Sequence, residues 1–346
     1  MRLLVLGGTA WLGREVAAQA LARGHEVTAL ARGVSGAVPD GVDLVAVDRD
    51  DPSAYAAVPG DWDAVVDLTR HPGHARGAAA ALAGRAAYLA FVSTISVYAV
   101  HDDRHAGTSA PLLTPLDGDL LTDRADYGNA KVACEQAVQA GFGPARSLLA
   151  RCGLIGGRGD HTHRSSYWPW RFAHPGTADA AVVVPDEPDL STQLVDVRDL
   201  ASWLVTCCER RTAGVVDAVG DCLPLAGHLE TARAVAGHRG PVLAAAPDWL
   251  LAAGVGHWAG DRSMPLWLPL PEFAGMTARN TDPARALGLR CRPLAQTLAD
   301  ALADERAHGW GRRPDEVGDG VGLTDEAARE LVERYRTELR SDATTG

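Results

Sequence analysis

The chain has 346 residues, 47% of them apolar, and a formal net charge of −11. That apolar content supports a sizeable core and excludes disorder over most of the length, while an acidic balance with no long Lys/Arg run excludes nucleic acid and an anionic membrane surface as partners. No uninterrupted apolar stretch reaches the roughly 18 residues of a membrane span and no cleavable signal follows Met1-Arg2, so the expectation is no membrane partner and a cytoplasmic location.

The first element is an apolar run, Leu3-Leu4-Val5-Leu6, that meets Gly7-Gly8-Thr9-Ala10-Trp11-Leu12-Gly13 and passes into a helical pattern carrying Val16, Ala17, Ala20 and Leu21. Strand, tight turn and helix open a βαβ unit, and the turn leaves backbone N–H groups at a helix N-terminus where a pyrophosphate binds. Gly7, Thr9, Ala10, Trp11, Leu12 and Gly13 are therefore the expected cofactor-binding residues. Ala10 stands where the G-x-x-G-x-x-G spacing has its middle glycine. A second strand from His25 ends at Ala31-Arg32-Gly33, the position that reads the cofactor ribose. An acidic residue there suits NAD and an arginine suits the 2′-phosphate of NADP, so Arg32 points to NADP, with NAD as the alternative.

Leu44–Asp48 reads as a third strand, with Asp48 placed to accept from an adenine amino group, and Asp63–Leu68 as a fourth, with Leu68 also at the cofactor edge. The loop Thr69–His74 follows, its histidines reading as loop residues, and then an Ala-rich helix to about Gly84. Ala87–Val92 is a continuous apolar run of the kind a central parallel strand shows. It delivers Ser93-Thr94-Ile95-Ser96-Val97-Tyr98 to the same edge. A loop over about 101–121 separates this from a helix carrying Tyr127 and Lys131, four residues apart and so on one helix face. An ammonium near a phenol lowers its pKa from about 10, fitting Tyr127 to exchange a proton with an alcohol or carbonyl. Six cysteines without C-x-x-C pairing read as buried thiols, and His161-x-His163 lacks further ligands at metal spacing, so no metal is expected.

Three motifs in this order resemble the extended short-chain dehydrogenase/reductase family, in an atypical, epimerase/dehydratase-like branch, over about residues 1–310. The family's strand-end S-S-x-x-V-Y is similar to Ser93–Tyr98, which implies Thr94 as catalytic beside Tyr127 and Lys131, with Lys131 also on the nicotinamide ribose. Arg151–Gly157 resembles the family's R-P-x-x-x-x-G-P without the prolines, and Val195–Ala201 its V-x-D-L-A stretch. Where the family's sugar-nucleotide enzymes place a diphosphate-clamping arginine, this chain has Thr192, which weakens the case for a nucleotide sugar. The resemblance, with the small residues Ala133, Ala137 and Ala140, also implies a homodimer.

The expected fold is α/β: a doubly wound Rossmann-type parallel sheet over 1–155, completed by a strand and helix around 191–220, with a smaller C-terminal substrate-binding cap from 156–190 and 221–310. Residues 311–346 form a linker and a C-terminal helix. Aromatics of the cap, among them Tyr167, Trp168, Trp170, Trp249, Trp258 and Trp267, either wall a substrate pocket or form the cap's own core. The expected activity is NAD(P)-dependent oxidation or reduction of a carbonyl or secondary alcohol on a small-molecule substrate through Thr94, Tyr127 and Lys131. An epimerase holding NAD, and a dinucleotide-sensing protein without turnover, are the alternatives.

Overall fold

The computed structural model describes residues 1–51, 53–310 and 321–345, with side chains to Leu339. The first part of the expected 311–346 segment, residues 311–320, lies outside the described residues. The chain divides into two compact units. Unit one comprises 1–154, 195–220 and 279–291; unit two comprises 155–194, 221–278 and 292–346.

Unit one runs β1 (Arg2–Leu6), α1 (Trp11–Ala22), β2 (Glu26–Ala31), β3 (Asp43–Ala46), β4 (Ala64–Asp67), α2 (Pro72–Leu82), β5 (Leu89–Thr94), α3 (Tyr127–Phe142), β6 (Ser147–Cys152), α4 (Val197–Arg210) and β7 (Gly214–Ala218). The seven strands pair in parallel in the order β7-β6-β5-β4-β1-β2-β3. The chain thus winds outward from β1 in one direction and then, from β4, in the other. Ligands of such sheets bind beyond the strands' carboxyl ends where the winding reverses, here between β1 and β4. Every residue of β4, β5 and β6 is buried, because helices cover both faces of the sheet. On one face Leu4, Leu6, Val65, Leu89 and Phe91 pack against Ala75, Ala78 and Leu82 of α2 and Cys134, Val138 and Phe142 of α3. On the other, α1 packs against α4.

Two boundaries differ from the sequence-based expectation in ways that matter at the site. The edge strand β3 stops at Ala46, leaving Asp48 exposed beyond it. The helix α2 begins at Pro72, whose fixed φ suits a first helical turn, so His74 belongs to the helix and not to the loop. The cysteines also divide: Cys134, Cys152, Cys207 and Cys208 are buried, whereas Cys222 is exposed and Cys291 half-buried. Cys222 sits on a short strand with a partner on one side only, which uncovers it.

In unit two the strand Asp221–Pro224 pairs antiparallel with residues 191–194, in the register Cys222↔Gln193 and Leu223↔Thr192. A second pair joins Val182–Pro185 to Val242–Ala245 in parallel. The helices Tyr167–Ala173, Leu225–Ala236 and Leu294–His308 pack on one another, and the C-terminal helix Asp325–Thr345 lies on the strand Val182–Pro185. Tyr167, Trp168 and Trp267 are fully enclosed, so these three aromatics form the unit's own core. Among the described residues no helix is long and apolar enough to cross a membrane.

Candidate dinucleotide and proton-transfer site

The glycine turn between β1 and α1 has the geometry a pyrophosphate cradle needs. Gly7 has φ +97°, a conformation only glycine adopts without strain, and its carbonyl accepts from Ala10 N at 3.1 Å. A Cβ on Gly13 would fall 2.3 Å from Gly7 O, so α1 approaches β1 only because that side chain is absent. Ala10 caps α1 in extended backbone, φ −74° and ψ 161°, which any residue adopts, so the missing middle glycine costs the turn no backbone freedom. Ala10 also brings no side-chain acceptor to the first-turn N–H groups, whose outward direction suits an anion. These residues therefore fit a dinucleotide.

Around this turn Thr9, Leu12 and Gly13 are buried and Ala10 and Trp11 half-buried, while half-buried Leu68 faces Gly7 from the end of β4. Arg32 is exposed one residue past β2. Exposed Asp48 stands in a group with exposed Asp50 and half-buried His74, their ligand atoms within 4.8 Å of one another, and His74 Nε2 lies 2.7 Å from Asp50 Oδ1. Sequence reasoning passed over Asp67, the last residue of β4. It is wholly buried and bonded twice, at 2.8 Å each, by Arg49, which also donates to His74 O and so ties the loop after β3 to α2. A lone aspartate closing an apolar strand was the available signal.

Farther along the same edge, Thr94 ends β5; its hydroxyl accepts from Ser96 N and donates to Ser96 Oγ, each at 3.2 Å, and it stands near enough to the phenol of Tyr127, the first residue of α3, to bear on that group's ionisation. Thr94 and Tyr127 thus lie on one edge of the sheet, and Tyr127 keeps 36% of its surface exposed. Lys131, one turn on, is buried; its ammonium donates to Thr69 O at 2.7 Å and to Val92 O and lies 4.3 Å from the centre of the Phe91 ring. One expectation is corrected here. Although more than a third of the residue's surface stays exposed, loss of solvent around the Tyr127 phenol pushes it up to about 12, with Cys152 adding to the rise and Thr94 and Arg70 opposing it, so the phenol is not held below its ordinary value. Burial likewise lowers Lys131, against the pull of neighbouring Cys134 and Asp67. Desolvation outweighs the attraction that i,i+4 spacing alone suggested.

A doubly wound parallel sheet with a glycine turn at its reversal point defines a Rossmann-type α/β protein. Residues 3–219 match the model of the NAD dependent epimerase/dehydratase family, and the chain belongs to that family. It is 33% identical over 160 residues to the 2'-dehydrokanamycin reductase of Streptomyces kanamyceticus, a match covering 45% of this chain and only 43% of that protein. Its fold is similar to those of UDP-N-acetylglucosamine 4-epimerase from Bacillus cereus (TM-score 0.63, 16% identity, 91% of this chain and 99% of that one) and of the Bordetella bronchiseptica enzyme WbmG, solved with NAD (TM-score 0.64, 14% identity, 89% and 95%).

Proposed function

We propose that this chain is an NADP(H)-dependent oxidoreductase that interconverts a ketone and a secondary alcohol on a small metabolite. The observation that carries the reading is compositional and structural at once. Of thirty-three basic side chains thirty-two are arginine, and the single lysine of the chain is Lys131, buried one turn from Tyr127. A guanidinium is a broad planar fork; only a compact ammonium fits between two carbonyls and an aromatic face and still has a third N–H to offer a ribose hydroxyl. A chain that uses arginine everywhere else keeps lysine at the one place where this chemistry requires it.

In this reading the first-turn N–H groups of α1 hold the pyrophosphate, Arg32 the 2′-phosphate, Asp48 the adenine amino group, and Leu68 lines the turn. NADPH, when bound, supplies the hydride. Tyr127 gives the proton to the carbonyl oxygen, Thr94 hydrogen-bonds that oxygen, and Lys131 steadies the ribose. A phenol near 12 remains protonated throughout the neutral range, which suits reduction. Thr192 is buried with its hydroxyl 3.4 Å from His228 Nδ1, a neutral environment that supports a substrate without a diphosphate. The Streptomyces relative is by name a reductase, which supports the direction. Of the three small residues on α3, Ala133 is buried and Ala137 packs against the core, so a second copy of the chain would meet this helix at Ala140, which is exposed.

The test is NADPH consumption with 2'-dehydrokanamycin and simpler ring ketones, together with titration of both cofactors. Tighter binding of NADPH than NADH, reversed by Arg32→Asp, is the expected result. Preference of the wild type for NADH would remove the role given to Arg32. Retained NAD⁺ in the purified protein without net oxidation or reduction would mark an epimerase instead.

A further inference from the structure

The buried polar side chains of unit one continue past the proton-transfer edge. Glu135 lies one turn beyond Lys131 on α3 and accepts from Ser93 Oγ on β5 and from Arg151 Nε (3.0 Å) and Nη2 (2.7 Å) on β6. Arg151 Nη1 then donates to Tyr98 Oη and to Thr108 O, each at 3.1 Å. Tyr98 donates to Asp217 Oδ1 on β7 at 2.6 Å, and Asp217 Oδ2 accepts from Arg279 Nε at 2.7 Å. Arg279 stacks 3.7 Å from the centre of the Tyr98 ring and donates to Gly107 O at 2.8 Å. All of these side chains are buried. Two carboxylates balance two guanidiniums, and one phenol joins the pairs.

Stability alone does not account for this ladder, because buried ion pairs replaced by apolar groups of similar volume are often as stable or more so. What apolar groups cannot do is reach the carbonyls of Gly107 and Thr108. Both belong to the long connection that leaves the turn after Thr94 and returns to Tyr127. Its stem is stitched by Ala99 N to Pro111 O (2.9 Å) and Leu113 N to Val97 O (2.8 Å), while Asp102, Asp103, Arg104 and His105 at its far end are exposed. Long irregular connections in compact domains usually serve binding, and this one starts after Thr94 and ends at Tyr127.

We propose that Arg151, Tyr98, Asp217 and Arg279 are positioning residues that hold the 99–112 loop beside Thr94 and Tyr127, so that substrate meets a loop already ordered. The substrate half of this inference rests on the oxidoreductase reading; the holding of the loop does not. Ordering in advance removes an entropic cost from each binding event, so loss of the ladder weakens substrate binding and leaves proton transfer intact.

Two conservative variants test it in the full chain. Tyr98→Phe deletes the oxygen that joins the two ion pairs and leaves both pairs standing. Arg279→Lys keeps a cation beside Asp217 but lacks the fork that also reaches Gly107. Amide hydrogen exchange read by mass spectrometry is expected to speed up by about tenfold over 99–112 in both, the scale of one or two lost hydrogen bonds, with residues 2–13 and 127–142 unchanged. NADPH affinity stays within about twofold, and with 2'-dehydrokanamycin as the ketone KM rises about tenfold while kcat stays within about threefold, the pattern of lost ordering and not lost chemistry. Unchanged exchange over 99–112 in both variants overturns the clamp. Faster exchange with an unchanged KM overturns its part in substrate binding. A wild type that turns over no ketone counts against the oxidoreductase reading, and the exchange experiment still decides the clamp.

Discussion

A lysine ammonium carries three N–H donors, and at position 131 two of them are taken by the carbonyls of Thr69 and Val92. This fixes the head group between two carbonyls, and in the proposed reading it separates the duties of Lys131 and Tyr127. Tyr127→Phe removes only the phenol oxygen, so turnover is expected to fall by about 10²- to 10⁴-fold with NADPH affinity unchanged in a fluorescence titration. Lys131→Arg keeps the charge but cannot place a planar fork between the same two carbonyls, so affinity and turnover fall together. More than about a tenth of wild-type turnover in Tyr127→Phe would remove this helix from the chemistry. With the phenol raised to about 12, the proposed reading expects initial rates of alcohol oxidation, which needs the phenolate, to rise with pH across the alkaline range while those of reduction stay flat. That Thr94 ends a strand and that Tyr127 and Lys131 share one helix was legible in the sequence, but the sign of the phenol's shift was not. Spacing reveals which residues share a face and says nothing of how much water that face loses on folding.

At the scale of elements, legibility followed periodicity. The strand, glycine turn and helix over residues 2–22 read directly, since each glycine answers to a steric demand visible within a few residues. The ladder from Glu135 to Arg279 did not, although Glu135 continues the four-residue spacing of Tyr127 and Lys131, because its partners lie on strands and loops far apart in sequence. The same holds for the helix Leu225–Ala236, whose His228 looks unremarkable in sequence and is wholly buried in the structure, with Nε2 lacking a partner. Burial lowers its pKa from 6.5 to about 4. Between those values the unfolded chain holds a proton at this side chain that the folded chain does not, so stability falls as pH drops from 6.5 to 4 and is regained as pH rises. The loss through this residue is roughly 3 kcal/mol by pH 4. Urea midpoints measured at pH 7 and pH 4 are expected to differ less in His228→Gln than in the wild type; an equal difference would mean that another group dominates.

For the molecule as a whole, the first unit was read from its sequence far better than the second. A parallel sheet repeats a strand-helix pattern, whereas 157–190 and 241–276 hold short elements joined by Pro-rich turns, and their aromatics gave no hint of which were enclosed. The C-terminal segment lies beyond the stretch matching the family model, and it is woven into unit two by contacts no pattern announces. Arg171, nearly fully buried, donates to Leu323 O at 2.6 Å and to Asp325 Oδ1 at 2.8 Å, and Leu323 N donates to Tyr167 Oη at 3.3 Å. Leu323, Ala328, Leu331 and Val332 are buried as well. Ending the chain at residue 310 therefore exposes the Tyr167 side of this core and leaves Arg171 with only His174 O among these partners. Removing partners from a buried charge costs about 3 kcal/mol or more, and four apolar side chains are lost in addition. The truncated chain is expected to melt well below the full one and to aggregate through unit two. Asp325→Ala is the contrasting variant: this carboxylate is 64% exposed, so its pair with Arg171 is screened and the change costs about 1 kcal/mol or less. Thermal unfolding of the three proteins side by side decides the matter. If the truncated chain melted within about 2 °C of the full one, less than a 1 kcal/mol loss produces, the C-terminal helix would be an ornament on unit two and not part of its core.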